Sequence, residues 1–193
     1  MLSFKESLKI LKETKALIEG HFILSSGLHS DKYVQCAKLL SKPDKSKEFC
    51  ISLSEKIKEN FQNFNLILSP AIGGIIIGYE IGRILNIKTI FAERVNNNFT
   101  LRRGFEIKNK EKVLIVEDVI TTGKSSLECS KLVDNSGGEL LGYGCMIDRS
   151  NGKSKIDGEI ISQIEIEIPT YDENNLPKHL KEIKAVKPGS RNI

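Results

Sequence analysis

Residues Val113–Ser126 combine an apolar run, two acids and a small polar loop in the order VLIVEDVITTGKSS. The apolar run is typical of a buried strand, and Glu117 and Asp118 stand near its carboxyl end. Adjacent carboxylates there can accept hydrogen bonds from a vicinal diol, and a neighbouring Mg²⁺ would relieve their repulsion. Residues Thr121–Ser125 can surround a phosphate monoester with backbone N–H groups and hydroxyls at the start of a helix. The segment therefore predicts a site for a phosphorylated sugar.

Three other interpretations of this segment compete with that prediction. Gly123-Lys124-Ser125 looks like the end of a P-loop, but Asp118 occupies the position that needs the first P-loop glycine. A flavodoxin-like protein with Asp118 as phospho-acceptor would leave the hydroxyl-rich loop unexplained. A structural loop with a capped helix accounts for an isolated acidic pair, but not for the complete string.

Apolar periodicity predicts helices and short strands that alternate along the chain. Repeats of about four residues predict amphipathic helices over residues 3–18 and from an N-cap at Ser46 to about Phe61. Short apolar runs predict buried parallel strands at Asn65–Ser69, Thr89–Ala92, Val113–Val116 and Leu140–Ile147. Helical segments follow two of them, at about Gly74–Leu85 and Thr122–Asp134. This alternation predicts an α/β fold, a doubly wound and mostly parallel sheet flanked by helices.

Ligands of such folds bind at the carboxyl ends of the strands, where loops converge and helix N-termini present N–H groups. The loops that follow the predicted strands are Ser69–Gly74, Glu93–Phe105, Glu117–Ser126 and Asp148–Lys155. We expect the functional site to form where these four loops meet.

The composition is that of one globular domain. The 193 residues are 39% hydrophobic and 28% charged, enough to bury a core without disulfides. A net charge of +4 suits small anionic ligands, whereas the scattered basic residues do not favour nucleic acid as a partner. The 4 dispersed cysteines predict neither a zinc site nor a disulfide framework, and favour a reducing cytoplasm. The N-terminus lacks a signal peptide's apolar core, and the longest apolar stretch, Ala71–Tyr79, spans about half a membrane, so we expect no membrane association.

The string Val113–Ser126 closely resembles the phosphoribosyl pyrophosphate (PRPP) signature of type I phosphoribosyltransferases, an apolar strand followed by Glu-Asp, an apolar pair and Thr-Thr-Gly-x-Ser. The resemblance implies the type I phosphoribosyltransferase fold, PRPP as substrate and Mg²⁺ as cofactor. It implies that Glu117 and Asp118 hold the ribose hydroxyls, directly or through Mg²⁺, and that Thr121–Ser125 hold the 5-phosphate. Lys124 stands where a glycine is common. The implied PRPP contacts are Glu117, Asp118, Val119, Ile120, Thr121, Thr122, Gly123, Lys124 and Ser125, with Ala71 and Gly73.

Further segments resemble the single-function bacterial orotate phosphoribosyltransferases. Gly20–Ser30 is similar to the segment that closes over the base, and Ser69–Gly74 to the pyrophosphate-binding loop. Phe91–Arg94 with Thr100–Phe105 resembles the mobile catalytic loop of one bacterial subgroup. Arg149 falls where that family has an arginine for the orotate carboxylate, a planar group that a guanidinium fork binds with two hydrogen bonds. The resemblance implies base contacts from Thr121, Arg149, Ser26 and Gly27.

The chain departs from that family at several lysine positions. Ser25 and Gly73 stand where many members have lysines, and the mobile loop lacks the Lys-x-x-Lys-x-His pattern. We therefore expect loop arginines to supply the missing charge, and Arg94, Arg102, Arg103 and Asp118 to be the catalytic residues. A solvated charged hairpin is the alternative for any one of these arginines.

The resemblance also implies an organisation for the whole chain. It implies one domain over residues 1–193, with a core at about 45–150 and a small hood formed by residues 1–40 and 155–193. It implies a homodimer in which the mobile loop of one subunit covers the neighbouring site. Two rival functions remain, a phosphoribosyltransferase for a purine or uracil and a PRPP-sensing regulator that binds nucleic acid. The absence of a basic tract argues against the regulator.

Overall fold

The computed structural model of the chain describes residues 1–24 and 26–188. The strands in this part of the chain are β1 (Leu17–Ile23), β2 (His29–Val34), β3 (Leu66–Pro70), β4 (Lys88–Val95), β5 (Asn98–Leu101), β6 (Lys112–Ile120), β7 (Glu139–Asp148) and β8 (Ile160–Glu165). The helices are α1 (Phe4–Glu13), α2 (Cys36–Leu40), α3 (Pro43–Asn60), α4 (Gly73–Leu85), α5 (Lys124–Asn135) and α6 (Lys178–Lys181), with a 3₁₀ turn at Glu173–Asn175.

Six strands form the central sheet in the order β5-β4-β3-β6-β7-β8. All neighbours are parallel except β4 and β5, which form an antiparallel hairpin. The strand order reverses between β3 and β6, since β4 lies on one side of β3 and the later strands lie on the other. The predicted doubly wound, mostly parallel α/β fold is confirmed, and its switch point lies between the loops after β3 and β6.

Helices cover both faces of this sheet because side chains alternate along the buried strands. Ile67, Leu114 and Val116 belong to a core cluster that includes residues of α1, α3 and α4. Leu66, Leu68, Val113 and Ile115 belong to a second cluster, with Cys129 and Val133 of α5. The sheet therefore has a buried core on each side, and both cores support the ends of β3 and β6.

Helix boundaries differ from the predicted ones at two places. The helix predicted over residues 3–18 begins after a capping box at Ser3 and ends at Glu13, because Leu17–Ile23 pairs with β2. The predicted N-cap at Ser46 is wrong, since Pro43 takes the first helical position of α3 and Lys42 is its N-cap. Ser46 is buried within the first turn, where its hydroxyl donates to the carbonyl of Pro43 at 3.1 Å.

Strands β1 and β2 form a separate hairpin that contacts the C-terminal region. Ile23 N donates to Val186 O at 2.9 Å, and His29 and Tyr171 exchange backbone hydrogen bonds of 2.9 and 2.8 Å. The buried rings of His21 and His29 share a hydrogen bond of 2.6 Å between Nε2 and Nδ1. The N-terminal hairpin and the C-terminal region are thus hydrogen-bonded to each other. Across the two described ranges, no helix has the length and apolar character needed to span a membrane.

Candidate active site

Glu117 and Asp118 lie near the carboxyl end of β6 and have different surroundings. The carboxylate of Asp118 lines a cleft at the edge of the sheet. Glu117 instead accepts a short hydrogen bond from the hydroxyl of Ser126 in the first turns of α5. This arrangement follows from the strand, in which successive side chains point to opposite faces.

Burial perturbs both acids. The pKa of Glu117 is raised to about 7, mainly by desolvation. The hydrogen bond from Ser126 lowers this pKa, whereas the charge of the neighbouring Asp118 raises it further. Desolvation also raises the pKa of Asp118, while hydrogen bonds from the backbone N–H groups of Val119 and Asp118 oppose that rise. Two carboxyl groups with raised pKa values at one strand end are typical of a functional site, because a positive partner there would stabilise both ionised forms.

The loop Thr121–Ser125 connects β6 to α5 as predicted. Thr121 and Thr122 are exposed, and Gly123 is the N-cap of α5 in a left-handed conformation with φ of +76°. A Cβ at Gly123 would lie 2.6 Å from Cγ1 of Ile156, so only glycine fits this turn without a shift. The loop therefore presents hydroxyls and a helix N-terminus to solvent, which is the arrangement expected of a phosphate site.

The loop after β3 approaches Asp118 closely. Ala71, Ile72 and Gly73 line the same cleft as Asp118, and Ala71 N donates to Ala92 O at 2.8 Å. A Cβ at Gly73 would lie 2.6 Å from each carboxylate oxygen of Asp118. Glycine at this position allows the backbone of one loop to contact the acid of the other.

The three predicted arginines of the β4–β5 hairpin and the turn after it have different partners. Arg103 forms two hydrogen bonds to the carboxylate of Glu93, from Nε at 3.0 Å and from Nη2 at 2.9 Å. Arg94 pairs with Glu128 of α5 at 2.7 Å. Arg102 is exposed just after β5. The hydrogen bond from Arg103 lowers the pKa of Glu93, and the charge of Arg102 lowers it further by a smaller amount. Glu93 and Arg94 both line the cleft, so the hairpin forms one of its walls.

Arg149 follows β7 and lies beside the end of β6, where its backbone N–H donates to Ile120 O at 2.8 Å. Its side chain is largely withdrawn from solvent, and this desolvation lowers the pKa of the guanidinium. Within the described part of the chain, Nε of Arg149 is buried and has no hydrogen-bond partner. A buried guanidinium edge without an acceptor is unfavourable, so this group is suited to an anionic ligand.

The cleft has a volume of about 720 Å³ and brings together part of the predicted site. Four of the predicted residues line it, namely Ala71, Gly73, Arg94 and Asp118. Val119 and Ile120 are strand residues packed towards the core, and Lys124 and Ser125 form the first turn of α5. Ser26 and Gly27 are exposed at the tip of the β1–β2 hairpin, where Gly27 N donates to Leu24 O at 2.9 Å. Ser25 lies outside the described residues.

Several residues of the site were not predicted. Gln35, Ala37 and Leu40 line the cleft from the β2–α2 region, which had no motif of its own. Glu93 and Ser126 stood within the predicted loops, and their roles as partners of Arg103 and Glu117 depend on side-chain geometry. Their positions in the predicted loops Glu93–Phe105 and Glu117–Ser126 were the signal available in the sequence.

The acids suit a Mg²⁺ ion that is held mainly by a ligand. Mg²⁺ is usually bound by one or two carboxylates together with substrate phosphates and water. Asp118 faces the cleft and Glu117 is its neighbour, so the two supply that kind of donor set. Among residues 1–24 and 26–188, no group of three or more His, Cys, Asp or Glu side chains is arranged to hold a metal ion. The site therefore fits a substrate-bound cation better than a metal caged by protein.

Comparisons with known proteins agree with this geometry. The family model described as phosphoribosyl transferase domain matches residues 40–182. The orotate phosphoribosyltransferase of Carboxydothermus hydrogenoformans is 44% identical over 183 residues, covering 95% of this chain and 96% of the relative. That of Maricaulis maris is 41% identical over 189 residues, covering 97% of each chain.

Solved structures show the same fold. The crystal structure of orotate phosphoribosyltransferase from Aeropyrum pernix has a TM-score of 0.73 at 21% identity, covering 82% of this chain and 92% of that one. The adenine phosphoribosyltransferase from Thermoanaerobacter pseudethanolicus has a TM-score of 0.61 at 19% identity, covering 70% of this chain and 88% of that one. The fold is therefore shared with an enzyme named for adenine, so structural similarity alone does not identify the base. The sequence relatives identify the group within the family. With the signature at the end of β6 in place, the chain belongs to the phosphoribosyl transferase family and, within it, to the orotate phosphoribosyltransferases.

Proposed function

We propose that this chain transfers the 5-phosphoribosyl group of PRPP to N1 of orotate, giving orotidine 5′-phosphate and pyrophosphate in UMP biosynthesis. Two relatives that match nearly the whole chain at 41% and 44% identity are orotate phosphoribosyltransferases, which supports this assignment. The observation that carries it is the buried, unsatisfied Nε edge of Arg149 beside the signature loop.

Arg149 distinguishes orotate from other bases by charge. Orotate has a planar carboxylate, which can accept two parallel hydrogen bonds from a guanidinium fork. Adenine, hypoxanthine and uracil have no carboxylate to offer. Binding orotate would supply the acceptor that the buried guanidinium lacks, whereas the other bases would leave it unpaired. Thr121 lies one residue after Ile120, to which Arg149 is hydrogen-bonded, so it is placed to contact the same base. Ser26 and Gly27, at the tip of the β1–β2 hairpin, would contact the base when this hairpin closes over the site.

PRPP would lie across the three loops at the switch point. Thr121–Ser125 bind its 5-phosphate through hydroxyls and the N-terminus of α5. Asp118 and Glu117 accept hydrogen bonds from the ribose hydroxyls, with Val119 and Ile120 supplying the backbone that leads to the loop. Ala71 and Gly73 offer the pyrophosphate a close approach to the backbone, because Gly73 has no side chain between the loop and Asp118.

The reaction requires positioning and charge stabilisation more than a protein nucleophile. The bond from the anomeric carbon to pyrophosphate breaks while positive charge spreads over the ribose ring. N1 of orotate attacks the opposite face with inversion, and its proton is released to water. Mg²⁺ would neutralise charge on the departing pyrophosphate when it is bound. Arg102 and Arg103 of the hairpin add positive charge on the same side, and Asp118 holds the ribose in place. Arg94 contributes to this set from β4, beside Glu93.

A homodimer with shared sites fits the exposed apolar face beside the cleft. Ile72, Ile76 and Tyr79 are spaced by four and three residues, and their exposed fractions are 85%, 56% and 64%. Ile72 and Ile76 also line the cleft, so a second copy on this face would border the site and bring its hairpin close. The 4 free cysteines are all buried, which suits the proposed cytoplasmic location.

Charges on the apolar face should dissociate the dimer. Ile76→Glu combined with Tyr79→Glu places two acids on the surface that a second copy would cover, where unpaired charges are strongly unfavourable. Sedimentation equilibrium should show a wild-type dimer and a folded monomer for the double variant. A matched pair of substitutions, Lys58→Glu and Asn60→Glu at the exposed end of α3, should leave the dimer intact. A double variant that remains dimeric would show that the subunits meet elsewhere.

The substrate assignment is tested by measuring product formation from PRPP with a panel of bases. Purified protein with Mg²⁺ and PRPP is given orotate, uracil, adenine or hypoxanthine, and nucleotide and pyrophosphate are measured. We expect orotidine 5′-phosphate and pyrophosphate in equal amounts, with orotate as the preferred base. If another base is turned over in preference to orotate, the assignment of the PRPP site stands and the assignment of orotate as the substrate fails. Binding of PRPP without turnover of any base would favour the regulator.

A further inference from the structure

The β4–β5 hairpin is attached to α5 through Arg94, which lies one pair away from the turn of the hairpin. Its Nη2 lies 2.7 Å from Oε2 of Glu128, and its Nη1 donates to the carbonyl oxygen of Asn97 at 2.6 Å. The guanidinium carbon also lies 4.2 Å from the ring centroid of Phe99, the residue paired with Arg94 across the hairpin. One face and both terminal nitrogens of this guanidinium thus make contacts within the protein.

Glu128 is suited to hold this arginine. Its side chain is only 25% exposed, and it lies on α5 one turn after Lys124, the first residue of that helix. Lys124 Nζ is 3.9 Å from Oε1, the other carboxylate oxygen. One acid therefore contacts the hairpin on one side and the start of the phosphate-loop helix on the other. Lys124 is mostly exposed, so its contact is the weaker of the two.

The other two arginines lie at the open end of the hairpin, where Arg103 is hydrogen-bonded to Glu93, the residue before Arg94. Strand β5 ends at Leu101, and Arg102 and Arg103 follow immediately. Phe99 is buried in the core cluster that includes residues of α5, so Arg94, Phe99 and Glu128 form one packed group at the turn end of the hairpin. A change in this group therefore shifts β4 and, through Glu93, the position of Arg103 and of its neighbour Arg102.

We propose that Glu128 is a positioning residue: through Arg94 it fixes the β4–β5 hairpin to α5, and so keeps Arg102 and Arg103 at working distance from PRPP. Arg94 then acts as the connecting residue of the hairpin. The inference rests on the proposed transfer reaction for its kinetic consequence, but the attachment itself is a structural property that can be measured without turnover.

The test compares Glu128→Gln, Arg94→Gln and the double variant with Asp134→Asn, which removes an exposed acid from the same helix. Glutamine keeps the size of Glu128 and loses its charge. Misplacement of catalytic groups by about 1 Å costs on the order of a hundredfold in rate, so we expect kcat to fall roughly tenfold to a hundredfold in Glu128→Gln. The KM for orotate should stay within about twofold of wild type, because Arg149 is on another element.

The double variant separates positioning from direct contact. If Glu128 acts through Arg94, the double variant should have the kcat of either single variant, because coupled residues give non-additive effects. Additive losses, or an Arg94→Gln loss much larger than that of Glu128→Gln, would overturn the proposal and return Arg94 to direct contact with substrate.

Hydrogen–deuterium exchange supplies the readout that does not need turnover. Amides of residues 94–101 should exchange roughly tenfold faster in Glu128→Gln, with Asp134→Asn unchanged, because the hairpin opens more often once its attachment is weakened. Unchanged exchange in Glu128→Gln would overturn the proposal, and so would faster exchange with an unchanged kcat. If wild-type protein does not convert orotate, the proposed function fails, while the exchange experiment still decides whether Glu128 fixes the hairpin.

Discussion

At the scale of single residues, the site depends on how differently two adjacent acids are placed. Glu117 turns towards α5 and is hydrogen-bonded to Ser126, whereas Asp118 faces the cleft and the backbone of Gly73. Successive side chains of a strand point to opposite faces, so a Glu-Asp pair in this position can contact two different partners. Glu117 therefore contacts the start of α5 through Oε2, and Asp118 faces the cleft directly.

The pKa of Glu117 predicts a dependence of stability on pH. Its folded-state pKa of about 7 lies above the ordinary value of 4.5, so between these values the folded protein keeps a proton that the unfolded chain has released. The stabilisation is therefore fully present below about pH 4.5 and is lost as pH rises through about 7. It amounts to on the order of 3 kcal/mol.

Glu117→Gln should remove this contribution to the pH dependence. Urea denaturation of the ligand-free protein at several pH values from 5 to 8 should give a free energy of unfolding that falls more steeply for wild type than for the variant. Asp118 is present in both proteins, so most of its own contribution cancels in the difference. Parallel pH profiles for the two proteins would show that Glu117 titrates normally.

At the scale of elements, the site is made by loops that meet at the switch point of the sheet. The loop after β3, the hairpin after β4 and the loop after β6 each contribute to the cleft or border it. They meet because parallel strands end on the same edge, and β3 and β6 are neighbours. Gly73 lets the first of these loops touch the acid of the third.

Gly73→Ala should damage PRPP use without unfolding the protein. The added Cβ would lie 2.6 Å from both carboxylate oxygens of Asp118, so the loop or the acid must move. We expect kcat/KM for PRPP to fall roughly tenfold to a hundredfold, as misplacement of a reacting group does. Gly158→Ala is the control, since its Cβ would meet only the ring of Tyr143, at 3.2 Å. Unchanged PRPP kinetics in Gly73→Ala would show that this close approach has no part in binding.

Much of this element-level arrangement could be predicted from the sequence. The apolar runs located β3, β4, β6 and β7, because strands buried on both faces are nearly continuous in hydrophobic residues. Strand β1 was not predicted because its register shifts between Glu19 and Phe22, which breaks the alternation of apolar residues. Strand β5 has only four residues and lies within the predicted loop Glu93–Phe105.

The contacts between distant elements could not be predicted in the same way. The pair of Arg94 and Glu128 joins residues 34 positions apart, and nothing in the local pattern of either residue identifies the other. The bond of Arg103 to Glu93 depends on the left-handed backbone of Arg103, with φ of 60°, at the turn after β5. Such pairings are set by tertiary packing, so the sequence predicted the arginines as a group but not their separate partners.

At the scale of the whole molecule, the cleft lies between the core sheet and the segment that follows the N-terminal hairpin. Gln35, Ala37 and Leu40 face Asp118 and the β3–α4 loop across it. Sγ of Cys36 donates to the carbonyl oxygen of Asp118 at 3.8 Å, which joins α2 to the end of β6. The chain thus supplies several sides of the cleft, and in the proposed dimer a second subunit would lie against the exposed apolar residues Ile76 and Tyr79 of α4.

A shared site should allow two inactive variants to complement each other. Arg103→Ala removes a hairpin charge and Asp118→Asn removes the ribose acid, so each homodimer should be strongly impaired. In a mixed dimer one site would combine the native hairpin of one subunit with the native Asp118 of the other. Equal mixing after subunit exchange should then restore up to about a quarter of wild-type activity, since half of the dimers are mixed and each has one intact site. No recovery after verified exchange would place both residues in the same subunit's site.

The selection of orotate by Arg149 is tested most directly by steady-state kinetics of Arg149→Gln beside wild type, following orotate absorbance with PRPP and Mg²⁺. Removing one partner of a buried charge pair costs at least about 2 kcal/mol, so we expect kcat/KM for orotate to fall on the order of a hundredfold. The KM for PRPP should stay within about twofold, because Arg149 belongs to the base side of the site. An Arg149→Gln variant that keeps wild-type efficiency with orotate would contradict the assignment of this arginine and the account of base selection built on it.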